Sequence, residues 1–375
     1  MPDFVARGRL IAARQRKDNS RSFARFVDNK VMQKIPLSKC FVSPEVEEAA
    51  LRALHSGQYI LGKECRAFEA ELAAYTGTQH AILGSSWTMM VYLLHLAQGV
   101  KPGDEIIVPS HTAFPTMEPL MHCGAKPVFI DVDDTCCMDV EQIESFITPR
   151  TVGIIPVHLY GHPVNLDRVL TLAAKHKLWV LEDCAQAHGA KYNGRTVGSM
   201  GHFGAFSFFP SKNLTVLGDG GCLVTNDDAL AEKVRMLRNH GRRDKYHHEF
   251  AGFNVRFNEI QGAIGRVMLK HLDRFNDHRR VIAARYNERL KGIVITPPER
   301  PWARAVYHMY VVRGQRRDEL QKFLNESGIE TGIHYPVANH QQPAVTGRFN
   351  DIPLLPETEQ ADSWRDAVEP RGSGV

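Results

Sequence analysis

The sequence predicts an α/β fold, with a large unit built on a mostly parallel sheet and a smaller α+β C-terminal unit after it. Two observations carry this. Short β-rich runs, Glu105-Ile106-Ile107-Val108, Pro127-Val128-Phe129-Ile130, Val152-Gly153-Ile154-Ile155-Pro156-Val157 and Leu178-Trp179-Val180-Leu181, alternate with helical segments of about 10–15 residues. Such alternation sets parallel strands between two helical layers, with the ligand site beyond the strands' carboxyl ends. The chain of 375 residues, 43% hydrophobic and 23% charged, is also long enough to bury one large core and a smaller one.

Residues 1–34 carry many Arg and Lys, few acids and little apolar periodicity, so they read as a basic extension ahead of the fold. Three readings stay open for it: a misassigned start or flexible tail, a basic contact arm, or a transit peptide. The large domain is expected over 35–270. Ser43 is placed to cap a helix over Pro44 to Leu51, and Cys65 to Tyr75 reads as a second helix that closes before Gly77. The small domain is expected over 271–375, with a helix from His271 to Leu290, a strand in Val306 to Val312 and a helix from Arg317 to Ser327.

The formal charge of +4 is small for this length, and no basic run interleaves with aromatics, which argues against a nucleic-acid partner. Seven cysteines lie scattered with no C-x-x-C pair, the pattern of reduced thiols in a cytoplasm. No stretch approaches the roughly 18 apolar residues that cross a bilayer, so no membrane partner is expected. His247-His248-Glu249 lacks an evident third ligand, and no metal is assigned.

Three segments carry chemistry. Glu182-Asp183-Cys184-Ala185-Gln186-Ala187-His188-Gly189 follows directly on the run Leu178 to Leu181, which puts Asp183 at a strand's carboxyl end, where a carboxylate can pair with a cationic ring nitrogen. Taken alone, Asp183 suits a helix N-cap equally well. Lys212 sits among apolar and glycine-rich neighbours, Phe206-Ser207-Phe208-Phe209-Pro210-Ser211 before it and Gly218-Asp219-Gly220-Gly221 after it. Burial lowers an amine's pKa and makes it a nucleophile and a base; a surface lysine in a loop is the alternative. At Gly84-Ser85-Ser86-Trp87-Thr88-Met89-Met90, hydroxyls and backbone N–H groups open a helical run, which suits either phosphate binding or plain capping by Ser85 or Ser86.

Together with Val157-His158-Leu159-Tyr160-Gly161, Gly252-Phe253-Asn254-Val255-Arg256 and His334-Tyr335-Pro336, these segments closely resemble the DegT/DnrJ/EryC1/StrS family of PLP-dependent sugar aminotransferases, in order and spacing, from about Ile35 to about Glu357. The resemblance implies the fold type I of PLP-dependent transferases and pyridoxal 5'-phosphate (PLP) as cofactor. It implies Lys212 as the Schiff-base lysine, Asp183 at the pyridine nitrogen, Gln186 against the ring hydroxyl, and Ser207 and Thr88 at the phosphate, with Trp87 and Met89 in the same turn. It also implies a homodimer with shared sites, in which Asn254 reaches the partner's phosphate, and substrate contacts by His334, Tyr335, Arg256 and Tyr246. The implied reaction moves an amino group from glutamate to a nucleotide-linked keto-sugar. Within the family, the tract from His158 to Leu214 and Lys245-Tyr246 are most similar to enzymes that aminate C3 of a dTDP-3-keto-6-deoxyhexose; amination at C4 and a catalytically silent ligand-binding paralogue are the alternatives.

Three departures from the family pattern stand out. Trp87 replaces a glycine and Met89 a small residue in the phosphate turn, and a bulky group there either blocks the cofactor or points away. Ala113 stands where many members stack an aromatic on the ring, leaving His111 to cover it. The polar run from Gln360 to Val375 lacks the apolar strand and last helix of the family, so the small domain is expected to be truncated or altered after about 359.

Overall fold

Alternate residues of each central strand point to opposite faces of the sheet, and the buried clusters follow that alternation. Ala81 and Leu83 join one cluster while Ile82, between them, joins the other. The structure, a computed structural model, describes residues 34–314 and 316–368, of which 361–368 are described by backbone alone. The basic extension lies outside the described residues but for Lys34.

Helix α1 (Pro44–His55) begins as its sequence dictates, the Ser43 side chain accepting from Val46 N at 3.4 Å. Helix α2 (Lys63–Thr76) ends on Gly77, whose φ of 79° is the left-handed conformation that favours glycine at a helix end. Then follow β1 (His80–Gly84), α3 (Trp87–Gln98), β2 (Glu105–Pro109), β3 (Lys126–Ile130), β4 (Thr151–Ile154), α4 (Leu166–His176), β5 (Trp179–Asp183), β6 (Phe203–Ser207), β7 (Gly221–Thr225) and α5 (Asp228–Arg238). The strands form one seven-stranded sheet in the order β1-β7-β6-β5-β4-β2-β3. Only β7 runs against the others, pairing antiparallel with β1 on one side and β6 on the other. Helices α1 and α2 cover one face and α3 and α5 the other.

Helix α6 (Glu259–Leu290) is a single helix of 32 residues that follows the Asn258 N-cap, begins twelve residues before His271, where the sequence suggests a helix, and runs through residue 270. Its first residue also finishes α2. Gly62, the N-cap of α2, offers no side chain. The buried Glu259 carboxylate takes its place, accepting from Gly62 N (2.6 Å), Glu64 N (2.8 Å) and Cys65 N (3.0 Å). Three otherwise orphaned N–H groups and the positive end of α2 are satisfied at once.

The expected strand over 306–312 is shorter: β8 spans Tyr310–Arg313. Tyr307 adopts φ 45° and Val306 N bonds Gly161 O, which turns this stretch toward the large domain instead of into a sheet. Helix α7 (Arg317–Glu326) follows as expected. Helix α8 (Pro356–Trp364) and strand β9 (Arg365–Val368) are present, and β9 pairs antiparallel with β8. Strand pairing is a backbone interaction, so a run with few apolar side chains can still supply it.

Replacing Glu259 with Ala is expected to cost about 3 kcal/mol, since three buried N–H groups lose their acceptor together. The check is a lower urea midpoint at unchanged m; Glu259→Gln, which keeps an acceptor, should lose less.

Candidate active site

Strand register brings the site together. Asp183, the last residue of β5, pairs with Ala205 of β6; Ser207, the last residue of β6, pairs with Gly221; and Gly221 pairs with Gly84, the last residue of β1. Three strand ends therefore share one edge, where a largely parallel sheet holds its ligand. The start of α3 lies at the same edge. A Cβ on Gly221 would sit 2.4 Å from Trp87 N, so only glycine lets β7 pass this close to the helix. Behind it, Arg238 donates to Glu69 (2.6 Å), and Glu69 accepts from Leu83 N (3.0 Å), which fixes the end of β1.

Ser86 is the N-cap of α3, its Oγ accepting from Met89 N at 3.2 Å. The Met89 N–H is therefore committed to the cap and its side chain packs on the core. Trp87 points away as well. Its indole is buried at 5% exposure among Ile82, Met90 and Leu223, because the first residue of α3 faces the sheet. The turn keeps its first two helical N–H groups, of Trp87 and Thr88, which have no partner within a helix and suit an anion.

Asp183 is buried at 3% exposure. Its Oδ1 accepts from Ala185 N and its Oδ2 from Thr116 Oγ1, both at 3.0 Å. Burial pushes its pKa up, and these donors and the Lys212 charge only partly oppose it. Such a carboxylate gains from a cationic ring N–H placed against it. Lys212 is half-buried, and burial pulls its pKa down to about 8 against the attraction of Asp183. Near neutral pH a usable share of this amine is uncharged and nucleophilic.

A polar layer closes the site on the far side. Gln186 Oε1 accepts from Tyr160 N (2.7 Å), which leaves Nε2 to donate to Tyr335 Oη (3.0 Å). Tyr160 Oη meets His111 Nε2 at 2.8 Å and donates to the His334 carbonyl. His111 also lies edge-on to Tyr335, ring centres 5.8 Å apart. Burial raises the Tyr335 pKa, so its hydroxyl stays protonated across the neutral range. Two further imidazoles, His188 and His308, are buried and held neutral, and burial together with the Lys212 charge depresses both.

Asp183, Gln186, Ser207, Thr88, Lys212, His334 and Tyr335 thus converge on one region. Tyr246 does not: it is 76% exposed, with the Lys245 ammonium 5.3 Å from its ring centre. Asn254 is exposed and accepts from Arg256 Nε at 2.9 Å, while the next residue's carbonyl accepts from Ser85 N at 3.2 Å, so this segment borders the phosphate turn of its own chain. Sequence reasoning missed Thr116, Asn213 and His308. Thr116 has no sequence signal, as it reaches Asp183 across 67 positions. In the loop before Phe250, His247 pairs with Asp244 and His248 Nδ1 with the His240 carbonyl (2.7 Å). In the buried trio His158, Glu182 and Cys184, His158 meets Glu182 at 3.1 Å, and Glu182 also accepts from Gly198, Met200 and Gly201 N.

A model of the DegT/DnrJ/EryC1/StrS aminotransferase family matches residues 42–365. The chain is 45% identical over 318 residues to a dTDP-3-amino-3,4,6-trideoxy-alpha-D-glucose transaminase of Streptomyces venezuelae, covering 84% of each chain. It is 46% identical over 333 residues to a UDP-N-acetyl-3-dehydro-alpha-D-glucosamine 3-aminotransferase of Acidithiobacillus ferrooxidans, covering 84% of this chain and 90% of the relative. The crystal structure of S. venezuelae DesV, in complex with a ketimine intermediate, superposes with a TM-score of 0.87 at 41% identity, covering 92% of this chain and 94% of that one.

If the indole of Trp87 belongs to the core, Trp87→Ala should cost about 3–5 kcal/mol in chemical denaturation. A loss under about 1 kcal/mol, the scale of a tolerated surface change, would contradict that placement.

Proposed function

The chain belongs to the DegT/DnrJ/EryC1/StrS aminotransferase family and is a PLP-dependent sugar aminotransferase, and from that premise we propose that it carries nitrogen from glutamate to C3 of a dTDP-linked 3-keto-6-deoxyhexose. The observation that carries the reading is one sheet edge with a buried carboxylate, a half-buried amine of lowered pKa and a helix start with open N–H groups. Both curated relatives named above put the amino group at position 3 in their own names, which favours C3 over C4. The UDP-sugar relative, at similar identity, favours a UDP-linked 3-keto-sugar as the second reading. The silent paralogue loses its motive, since the Trp87 side chain turns into the core and leaves the turn clear.

The residues suit the cofactor. Asp183 would hold its ring nitrogen, Gln186 would lie at the ring hydroxyl, and Thr88, Ser207 and the first N–H groups of α3 would hold its phosphate. When bound, PLP supplies an aldehyde that condenses with amines and a cationic ring that takes up a carbanion's electrons. Lys212 Nζ takes the proton from the α carbon of glutamate in the first half and delivers a proton to C3 of the sugar in the second. His111, Tyr160 and Tyr335 keep water from that face, and His334 and Tyr335 border the space left for the sugar. Arg256 and Tyr246 would meet substrate only from the mouth of the site. A cytoplasmic homodimer completes the proposal. The exposed Asn254 beside Ser85, with exposed Tyr59, Ile60 and Phe209, supports an interface at which the partner's Asn254 approaches the phosphate.

With glutamate as donor, a panel of dTDP-, UDP- and GDP-linked keto-sugars read by mass should give the amino product from the dTDP-linked 3-keto sugar. Product only from 4-keto sugars would overturn the choice of carbon. Lys212→Ala should abolish transfer, and borohydride reduction of the loaded wild type should leave the pyridoxyl group on residue 212 and nowhere else. Because the reacting form is the uncharged amine, cofactor capture should quicken as pH rises to about 8 and level off above it. A rate that still climbs about tenfold per pH unit through pH 9, as the ordinary lysine value of about 10 would give, would refute the lowered value.

A further inference from the structure

The residue after the attachment lysine fixes the state of a buried histidine. Asn213 is 5% exposed and its Nδ2 donates to two acceptors, Asn276 Oδ1 at 2.9 Å and the Val306 carbonyl at 3.2 Å. A backbone carbonyl only accepts, so the amide's orientation is set and Oδ1 must face the other way. There it meets His308 Nδ1 at 3.2 Å. Since Oδ1 only accepts, His308 carries its proton on Nδ1. That leaves Nε2 as a bare lone pair on a residue 1% exposed, and Nε2 has no hydrogen-bond partner among the described residues. An unmatched acceptor in a dry site is costly unless some donor visits it.

A donor is close at hand. Among the described residues Lys212 Nζ has no hydrogen-bonding partner, and its charge is felt at His308. Arg279 Nη1 is directed elsewhere, donating to the Tyr307 and His308 carbonyls at 3.1 and 3.2 Å. We propose that His308 Nε2 is the resting hydrogen-bond acceptor for the ε-amine of Lys212, holding it in one orientation whenever it is not joined to the cofactor. His308 is then a positioning residue: it aims the lone pair of the amine at the substrate carbon and stays neutral itself. The proposal rests on Lys212 being the attachment lysine.

The other groups that face Lys212 are Asp183, which favours its charge, and the neutral imidazoles of His188 and His334; Lys39 and Arg279 line the cavity behind it. A neutral acceptor stabilises the ammonium more than the free amine, so removing it should lower the pH at which Lys212 becomes reactive.

The test follows reductive methylation of Lys212 against pH in cofactor-free protein, read by peptide mass. His308→Asn keeps a group near Asn213 but deletes the Nε2 acceptor, and its labelling midpoint should fall by about one pH unit. His308→Gln returns an acceptor near the Nε2 position and should recover most of the wild-type midpoint. Equal midpoints for wild type and both variants would overturn the proposal, as would equal shifts in the two. Should the variants fail to fold, a crystal structure of the cofactor-free wild type decides: Nζ within hydrogen-bond reach of Nε2 supports the contact, and a separation beyond about 3.5 Å ends it. Failure of borohydride to label Lys212 in the loaded wild type would instead sink the aminotransferase reading itself, independently of these midpoints.

Discussion

A carboxylate buried opposite a half-buried amine is the constraint around which this fold is arranged. Asp183 cannot be solvated, so it depends on Thr116 and Ala185 for hydrogen bonds and on a positive charge to face it. Both donors come from turns, and those turns are held by the parallel strands beneath them. The sheet's job is to deliver such groups to one edge, and the antiparallel β7 does so by passing α3 at a glycine. Chemistry at this site is a matter of registration as much as of residue type.

Much of this was legible in the sequence because strand, turn and helix signals are local. Ser43, Gly77 and the runs preceding Asp183 and in β2 could be read without tertiary knowledge, and the structure keeps them. What stayed hidden depends on contacts between distant positions. Thr116 reaches Asp183 and His308 reaches Asn213 across long separations, with no periodicity to announce either pairing. The start of α6 was missed because its first turns carry Gly262 and Gly265, poor helix formers retained where α2 packs so closely that a Cβ would strike Cys65 or Phe68.

Trp87 teaches a related lesson. A large residue in a turn that usually holds glycine looks like an obstruction when only the residue types are compared. In three dimensions the helix phase decides, and the first position of α3 happens to look inward. Met89, two positions on, spends its N–H on Ser86 instead of on a ligand. The backbone N–H groups of Trp87 and Thr88 that open the helix are left alone by both substitutions.

The long helix α6 links parts of the molecule that would otherwise be independent. Its first residue closes the start of α2, Asn276 bonds both the His188 carbonyl and Asn213, and Arg279 secures the backbone at Tyr307 and His308. An added or deleted residue anywhere between Glu259 and Asn276 would swing everything downstream by about 100° around the helix axis. Both anchors would then face solvent or the wrong neighbour. The length of this span is as constrained as the identity of any side chain it carries, and drift in it can proceed by replacement but not by insertion.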